Sequence, residues 1–418
     1  MTYNELYHRI FQISNGITLK YGHLSGGYIA INMVNSTDWV SLFWAVLSAG
    51  FKPVLIQSNL ELETFNSIVK RLSPICMFVD NTQKASIETL TIQDLNLNNS
   101  DWPKTVWANE VALTSTGTTS NPKIVIYDGE GISEQILTSE EIFLENKYIA
   151  HNKNYEIVIL ALIPFYHVFG FIVNLLWFFF FGRTFVFLEN LDPNTIKQTA
   201  IDFKISHLFE IPLLYNQIVD KILLEVEKEN KTKKFNRAIK LSIFLQRKMP
   251  VFGRWLVHNV IFRNTRKRIL GTNLKYMISG GSYIKKETCM IMNGLGYALH
   301  NGYGLTEMGI LSVENSKKID DRLTSSIGPF FSSVETVIDQ DILKVKSKTA
   351  SKTIYHNDSV SSPKDGWFLT KDIIRLDKKG KYHILGRVDD MVILPNGENI
   401  NPDMIETEIN LMVIIILF

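Results

Sequence analysis

The stretch YIAINMVNSTDWVSLFWAVLSAGFKPVLI, residues 28–56, contains the two hydrophobic patterns that decide the fold class. An apolar run at 28–34 is rich in β-formers, and Asn35 and Ser36 follow it as candidate helix caps. Apolar residues then recur at helical spacing up to Gly50, which supplies the left-handed end that a helix prefers. The KPVLI run that follows predicts a second strand, so the stretch predicts a strand–helix–strand unit.

The same alternation continues along the chain. LETFNSIVKRL predicts a helix, and the further predicted strands are ICMFVD, VALT (111–114), EIVILALI (156–163), TFVFLE (184–189) and SHLFEI (206–211). Continuous apolar strands separated by helices are typical of a parallel sheet covered by helices, which is an α/β fold. After Leu323 the sequence becomes β-rich, and the Lys-Gly pair in DKKGKY predicts a hairpin.

Composition excludes several classes of protein. The 418 residues are 45% hydrophobic and 21% charged, with a net charge of +2, which excludes a disordered or collagen-like chain. The balanced charge gives no support to a nucleic-acid partner. Cys76 and Cys289 are too far apart to suggest a metal knuckle, and MTYNELYHRI has no signal core, so we expect a cytoplasmic protein.

Two segments raise the question of membrane contact. The first, 157–188, is very apolar, but Pro, Gly, His, Asn and Arg interrupt it, which favours a buried core helix over a membrane span. The second, 231–268, holds twelve Lys and Arg and no acidic residue, with apolar side chains between them. A solvated pair of helices is the favoured interpretation of this basic segment, and peripheral contact with anionic lipid is the alternative.

A hydroxyl-rich loop follows the strand VALT, with the sequence Ser115-Thr116-Gly117-Thr118-Thr119-Ser120-Asn121-Pro122-Lys123. Its glycine lets backbone amides converge on an anion, and its hydroxyls add donors to phosphate oxygens. Lys123 supplies a positive charge where a leaving pyrophosphate would accumulate negative charge. The spacing is not that of a Walker loop, and such a cluster alone is also compatible with an ordinary loop.

Two further motifs carry groups suited to a nucleotide. In Asn301-Gly302-Tyr303-Gly304-Leu305-Thr306-Glu307, two glycines flank a Tyr whose ring can lie against a flat ligand, and the Glu carboxylate suits Mg²⁺. Downstream, Asp372 precedes the run Gly386-Arg387-Val388-Asp389-Asp390. A carboxylate can hold a ribose diol through two hydrogen bonds.

In this order the motifs resemble the adenylate-forming superfamily of AMP-dependent synthetases and ligases. The matching segments are 2–6 (TYNEL), 45–56, 114–123, 302–307, 366–372 and 386–406. The resemblance implies a large AMP-binding domain over 1–386, built of packed mixed sheets covered by helices with a β-rich subdomain. It also implies a hinge and the truncated start of a C-terminal lid over 387–418.

The resemblance implies a role for each matched position. The residues that would hold the phosphates are Thr114, Ser115, Thr116, Gly117, Thr118, Thr119 and Lys123. The residues that would border the adenine are the Gly280-Gly281 turn, Asn301, Gly302, Tyr303 and Gly304, and the Tyr303 ring would stack on the base. Asp372 and Arg387 would hold the ribose. Thr306 would contact the α-phosphate, Glu307 would bind Mg²⁺, and Asp389 would be the hinge. The catalytic set would be Thr306, Glu307, Lys123 and His167.

The implied reaction activates a carboxylic acid with ATP to an acyl-adenylate and releases pyrophosphate. The acyl group then passes to the thiol of CoA or of an acyl carrier protein. The segment Pro164–Gly170 (PFYHVFG) resembles the acyl- and aryl-CoA synthetase version, without the Asp that pairs an amino group, which favours an apolar acid, fatty or aryl, over an amino acid. The adjacent Phe-rich segment and FEIPLLYNQIVDKI (209–222) resemble long-chain fatty acyl-CoA synthetases, so a fatty acid is the favoured substrate. His167 is then either a residue of the acyl channel or a core histidine.

The sequence also departs from the family pattern. Ser120, Ile124 and Lys371 stand where glycine is usual, and the chain stops at NLMVIIILF without the Lys that ends the family's lid. We therefore expect ATP and acid binding with much-reduced adenylation and little thioester formation. The alternative is a non-catalytic nucleotide- or acyl-binding remnant or scaffold.

Overall fold

A computed structural model gives the fold of the chain. The residues that the structure describes are 1–58, 60–81, 85–97, 106–115, 122–146, 149, 155–390, 392–393 and 399–400. Their strands, in chain order, are β1 (Tyr28–Asn32), β2 (Lys52–Leu55), β3 (Cys76–Val79), β4 (Glu88–Leu90), β5 (Glu110–Ser115), β6 (Lys123–Asp128), β7 (Val158–Leu160), β8 (Thr184–Val186), β9 (His207–Glu210), β10 (Tyr276–Ser279), β11 (Ala298–Leu305), β12 (Gly309–Val313), β13 (Val334–Asp339), β14 (Ile342–Ser347), β15 (Thr353–His356), β16 (Ser359–Ser361), β17 (Phe368–Leu376), β18 (Tyr382–Arg387), β19 (Val392–Ile393) and β20 (Asn399–Ile400).

The α-helices in the same residues are α1 (Tyr3–Tyr21), α2 (Thr37–Ser48), α3 (Leu62–Leu72), α4 (Gly129–Glu145), α5 (Phe178–Phe180), α6 (Pro193–Asp202), α7 (Pro212–Lys228), α8 (Thr232–Lys248), α9 (Pro250–Leu256), α10 (Arg263–Ile269), α11 (Lys286–Gly294) and α12 (Ile319–Arg322). Two further helical segments have π geometry, Phe169–Trp177, here called the buried π-helix, and Val257–Ile261.

Two mixed sheets form the body of the protein. The first has the strand order β16-β15-β6-β5-β2-β1-β3-β4, and β1 lies parallel to both β2 and β3, as the opening stretch predicts. The second has the order β12-β11-β10-β9-β7-β8 and is parallel except for β12. A third, antiparallel sheet, β13-β14-β17-β18, is the β-rich subdomain. The predicted α/β class with packed mixed sheets is therefore confirmed.

Local signals in the sequence explain where the helices begin and end. The Ser36 hydroxyl accepts a hydrogen bond from the Trp39 amide at 3.0 Å and so caps α2, while Gly50 has a φ of +83°. The TYNEL segment is a capping box, because Thr2 and Glu5 each accept the backbone amide of the other. The motif that opens the resemblance thus has a structural reason of its own.

The predicted core helix lies between the two large sheets. The Phe171 ring of the buried π-helix meets Phe43 of α2 edge-on, with ring centroids 5.2 Å apart. Phe178, at the end of the same segment, stacks on Phe209 of β9 at 5.0 Å. Burial of these aromatic rings is the main stabilising term for such a segment. In the described part of the chain, no helix is long and apolar enough to cross a membrane.

The structure confirms the predicted hairpin and leaves the predicted domain division untested. The hairpin predicted at DKKGKY is confirmed, because Gly380 has a φ of +75° between the antiparallel strands β17 and β18. The division into domains 1–386 and 387–418 stays a prediction, since most of the second segment lies outside the described residues. Strands β15 and β16 come from the β-rich last third but join the first sheet, where β15 pairs with β6 and β16 pairs with β15.

We predict that Gly328→Ala lowers the free energy of unfolding by about 3 kcal/mol, because strain and steric overlap add. Gly328 has a φ of +79°, and a methyl group there would lie 2.4 Å from the backbone of Val313 and Glu314. Gly26→Ala is the matched control, since Gly26 has a φ of +92° but no heavy atom within 4 Å. Urea unfolding of both variants measures the difference, and equal losses would contradict the role of the close approach.

Candidate nucleotide-binding site

A cavity of about 320 Å³ opens where the carboxyl ends of β10 and β11 meet the sheet of β17 and β18. Its lining residues are Gly281, Ser282, Tyr283, Ile284, Asn301, Gly302, Tyr303, Gly304, Leu305, Ser325, Ile327, Asp372, Ile384, Gly386 and Arg387. The structure therefore brings together the residues that the sequence predicts for adenine and ribose. Ligands of open α/β sheets bind outside the carboxyl ends of the strands, which fits this position.

Asp372 is the polar centre of the cavity. The Tyr303 hydroxyl donates a hydrogen bond to its Oδ2, and the Arg387 Nη1 lies 3.4 Å from its Oδ1. The register of β17 and β18 places Asp372 directly opposite Arg387. Burial raises the pKa of Asp372, while the Tyr303 hydrogen bond and the Arg387 charge act against this rise. The carboxylate is thus held in place by two partners, ready to accept hydroxyl donors.

Asn301 lines the same cavity and has one buried polar atom without a partner among the described residues. Its Nδ2 donates to the Ser325 carbonyl at 3.2 Å, and its side chain is buried. Its Oδ1 has no hydrogen-bond partner among the described residues. Buried polar atoms are nearly always paired in the functional state, so this oxygen fits the amino group of a purine base.

Lys123 and Glu307 form an ion pair beside the cavity. The Lys123 Nζ lies 2.9 Å from the Glu307 Oε1, and Glu307 is only 8% exposed. Glu307 comes two residues after Leu305 of the cavity wall, and its charge contributes to the raised pKa of Asp372. The pair therefore places one cation and one carboxylate next to the predicted ribose site.

The chemistry of Glu307 fits Mg²⁺. This ion usually keeps several waters and binds one or two carboxylates together with substrate phosphates, so a single carboxylate is enough. A protein-only metal cage is absent from the part of the chain that the structure describes, where His, Cys, Asp and Glu nowhere cluster in groups of three or more. Thr306 and Glu307 are the residues that would face the ion and the phosphates.

Two residues outside the predicted set hold this segment. The Tyr127 hydroxyl donates to the Thr306 carbonyl at 2.7 Å, and the Gln135 side chain bonds the backbone of Met308 and Ile310. Sequence reasoning missed both, because each acts across more than 170 residues. It also missed Tyr283, although its position three residues after Gly280 was a usable signal.

Two of the residues predicted to hold the phosphates, Thr114 and Ser115, lie in β5 of the first sheet. Thr114 is buried, and its hydroxyl donates to the Leu55 carbonyl at 2.9 Å within the first sheet. Ser115 ends β5, whereas residues 116–119 of the predicted phosphate loop lie outside the described residues. Their role, like that of Thr114, stays a prediction.

His167 and Asp389 lie outside the cavity lining. The His167 side chain is exposed at the start of the buried π-helix, with its ring 4.4 Å from that of Tyr166. Two residues further on, the Phe169 ring lies against the Gly280 backbone, close to the cavity. Asp389 forms an exposed ion pair with Lys371 at 2.8 Å. The roles predicted for His167 and Asp389 stay predictions.

Comparison with known families identifies the class of protein. A family model described as AMP-binding enzyme matches residues 1–348, and the chain belongs to this family. The cavity residues predicted to border the base lie within the matched region, whereas the predicted ribose residues Asp372 and Arg387 follow it in the chain.

Among the curated relatives are ligases named for fatty and aromatic acids. Fatty acyl-CoA synthetase B of Dictyostelium discoideum is 23% identical over 85% of this chain and 53% of its own length. Long-chain-fatty-acid–CoA ligase 2 of Schizosaccharomyces pombe is 24% identical over 63% of this chain and 41% of its own. Feruloyl-CoA synthase of an Amycolatopsis species is 24% identical over 41% and 38%. The chain thus matches about half or less of these relatives' length.

Solved structures share the fold. ATP-bound MatB from Rhodopseudomonas palustris has a TM-score of 0.71 at 20% identity, covering 98% of this chain and 77% of that one. The o-succinylbenzoate CoA synthetase MenE from Bacillus subtilis, in complex with an acyl-adenylate intermediate, has a TM-score of 0.73 at 17% identity, covering 97% and 77%. At these identities the likeness establishes the fold.

We predict that Tyr303→Phe moves the acid limb of ATP affinity to higher pH by about one unit. The Tyr303 hydroxyl favours the ionised form of Asp372, so its loss raises the pKa of that carboxyl further. An ionised carboxylate accepts ribose hydroxyls, and affinity therefore falls as pH drops through this pKa. Calorimetric titration of ATP between pH 5 and pH 8 measures the shift.

Tyr283→Phe is the control for this experiment. Tyr283 lines the same cavity but makes no contact with Asp372. Titration of the nucleotide phosphates affects both variants alike, so only the difference between them reports on Asp372. An unchanged acid limb in Tyr303→Phe would disprove the coupling.

Proposed function

We propose that this chain activates a carboxylic acid with ATP, forming an acyl-adenylate and pyrophosphate, as an AMP-forming acid–thiol ligase. One observation carries the proposal. A single cavity is lined by Asn301, Tyr303, Asp372 and Arg387. Glu307, paired with Lys123, comes two residues after Leu305 of the same lining. This set supplies an acceptor for a base, a carboxylate for a diol, and charges for phosphates and a metal ion. Membership of the AMP-binding enzyme family supports it.

In the proposed arrangement each residue acts by binding or by charge. Asn301 accepts the adenine amino group, Tyr303 lies against the ring, and Asp372 with Arg387 holds the ribose. Thr306, Lys123 and the loop 114–119 bind the phosphates, and Glu307 binds Mg²⁺, which offsets phosphate charge. A substrate carboxylate oxygen attacks the α-phosphorus, the bond to the bridging oxygen breaks, and pyrophosphate leaves toward Lys123.

We propose an acid with an apolar chain, most simply a fatty acid. The buried π-helix beside the cavity is entirely apolar apart from Asn174, and its Phe169 contacts the Gly280 turn. The names of the Dictyostelium and Schizosaccharomyces relatives point to the same substrate class. His167 would line this side of the site, where the acyl chain would lie.

The second step is also a proposal. A thiol, from CoA or from the phosphopantetheine of a carrier protein, attacks the acyl carbonyl carbon, and AMP leaves with the electron pair of the broken acyl–phosphate bond. Asp389 would be the hinge between the two steps, at the start of a second domain 387–418. Its ion pair with Lys371 would have to open when that segment rotates.

A binding protein without catalysis is the second candidate, and one observation favours it. Lys371, next to Asp372, has a φ of +64°, a conformation that strains a residue with a side chain. Lys371 stands where the resemblance implies glycine, which would adopt this φ without strain, so the position beside the predicted ribose ligand departs from the family pattern.

The first experiment is acid-dependent exchange of labelled pyrophosphate into ATP, with a panel from acetate to palmitate plus benzoate. We expect exchange with fatty acids, and its rate also tests the expectation of reduced adenylation. Lys123→Ala should lower the rate roughly a hundredfold, because one preorganised charge at the leaving group is lost. Glu307→Gln should reduce exchange and its dependence on Mg²⁺.

Lys344→Ala is the matched control, since Lys344 also pairs with a carboxylate, Asp339, but on an exposed hairpin. Its exchange rate should equal that of the wild-type protein. If no acid supports exchange while calorimetry still detects ATP binding, the ligase proposal fails and the binding protein remains.

A further inference from the structure

A cluster of exposed apolar side chains lies on α8 and α9. Its members, here called the apolar patch, are Leu241, Phe244, Val251, Phe252 and Trp255. Each is between 52% and 87% exposed, so the described residues leave the patch open to solvent. The Phe252 and Trp255 rings stack with centroids 5.8 Å apart. Clustered exposed aromatic residues of this kind mark interaction surfaces.

The patch is not the core-facing side of these helices. Helix α8 buries Phe235, Ile239 and Ile243 on its other face, against the second sheet and its helices. Helix α9 packs tightly on α8, because a methyl group at Gly253 would lie only 2.3 Å from the Leu245 carbonyl oxygen. Both helices therefore have their packing partners already, and the patch is additional apolar surface.

Helix α8 also carries exposed positive charge. The segment 231–268 contains twelve Lys and Arg and no acidic residue. Lys240 and Lys248 are exposed and form no ion pair with described residues, while Arg247 pairs with Asp320.

Helix α9, which carries part of the patch, lies at the amino end of strand β10, and the nucleotide cavity lies at the carboxyl end of the same strand. Arg254 of α9 donates to the Lys275 carbonyl at 2.9 Å and lies over the ring of Tyr276, the first residue of β10. The cavity begins beyond Ser279, the last residue of that strand. Binding at the patch can therefore be altered without touching the nucleotide site.

We propose that the apolar patch docks the protein on the surface of an anionic phospholipid bilayer. Trp and Phe insert at the boundary between headgroups and acyl chains, and the exposed Lys side chains of α8 attract anionic headgroups. A second copy of the chain fits less well, because a symmetric contact would bring two positively charged helices together. The proposal is independent of the ligase reaction.

Sedimentation with vesicles tests the proposal. The wild-type chain should bind vesicles of equal parts phosphatidylglycerol and phosphatidylcholine, bind phosphatidylcholine alone weakly, and lose binding as salt screens the charges. Phe252→Ser with Trp255→Ser should lower partitioning roughly tenfold or more, because the inserted apolar area is lost. ATP affinity in this double variant should equal that of the wild-type protein, which also shows that it is folded.

Two further variants keep the outcome unambiguous. Phe180→Ser is the control, since Phe180 is an exposed aromatic residue on the opposite face of the second sheet, and it should bind vesicles as the wild-type protein does. The double variant Lys240→Gln/Lys248→Gln should weaken binding to anionic vesicles and leave the weak binding to phosphatidylcholine vesicles unchanged. No vesicle binding by the wild-type chain, or equal binding by Phe252→Ser/Trp255→Ser, would overturn the proposal. So would self-association that disappears in this variant, because a second copy would then be the occupant.

Discussion

The side-chain amide of Gln135 bonds the backbone on both sides of Gly309, just after Glu307, at the turn between β11 and β12. Its Nε2 donates to the Met308 carbonyl at 3.2 Å, and its Oε1 accepts from the Ile310 amide at 3.1 Å. Gly309 makes this approach possible, since a methyl group there would lie 1.7 Å from the Nε2. A buried amide is expensive to leave unpaired, so the turn has one position, and this position sets that of Glu307.

The same contact links the site to the aromatic core. The Trp177 indole of the buried π-helix donates to the backbone carbonyl of Gln135 at 2.8 Å, which fixes α4 against the core. The buried π-helix between the two sheets is thus connected to the segment of Glu307 by the hydrogen bonds of Trp177 and Gln135. On the other wall of the cavity, the pairing of β17 with β18 sets Asp372 opposite Arg387 in the same way. Packed elements rather than free loops position these charged groups.

The sequence allowed the main elements and about half of the cavity residues to be predicted, because these depend on local periodicity and short motifs. The helix Leu62–Leu72 has the predicted bounds, since its apolar face and both neighbouring strands are clear. Gln135 could not be predicted as a site residue, because it acts through long-range contacts that leave no local pattern. The pairing of β15 with β6 and the π geometry of Phe169–Trp177 likewise depend on tertiary packing.

Because Lys123 and Glu307 form an ion pair, the free energy of ligand binding at this site depends on the charge of the ligand. A bare polyphosphate that draws Lys123 to itself leaves the buried Glu307 carboxylate without a counter-charge, which is unfavourable. A polyphosphate that is already chelated to a divalent cation replaces this ion pair with two others, Lys123 with the phosphate and Glu307 with the cation. In the proposed arrangement, the ion pair would therefore favour the metal complex of a nucleotide over the free nucleotide, before any chemical step begins.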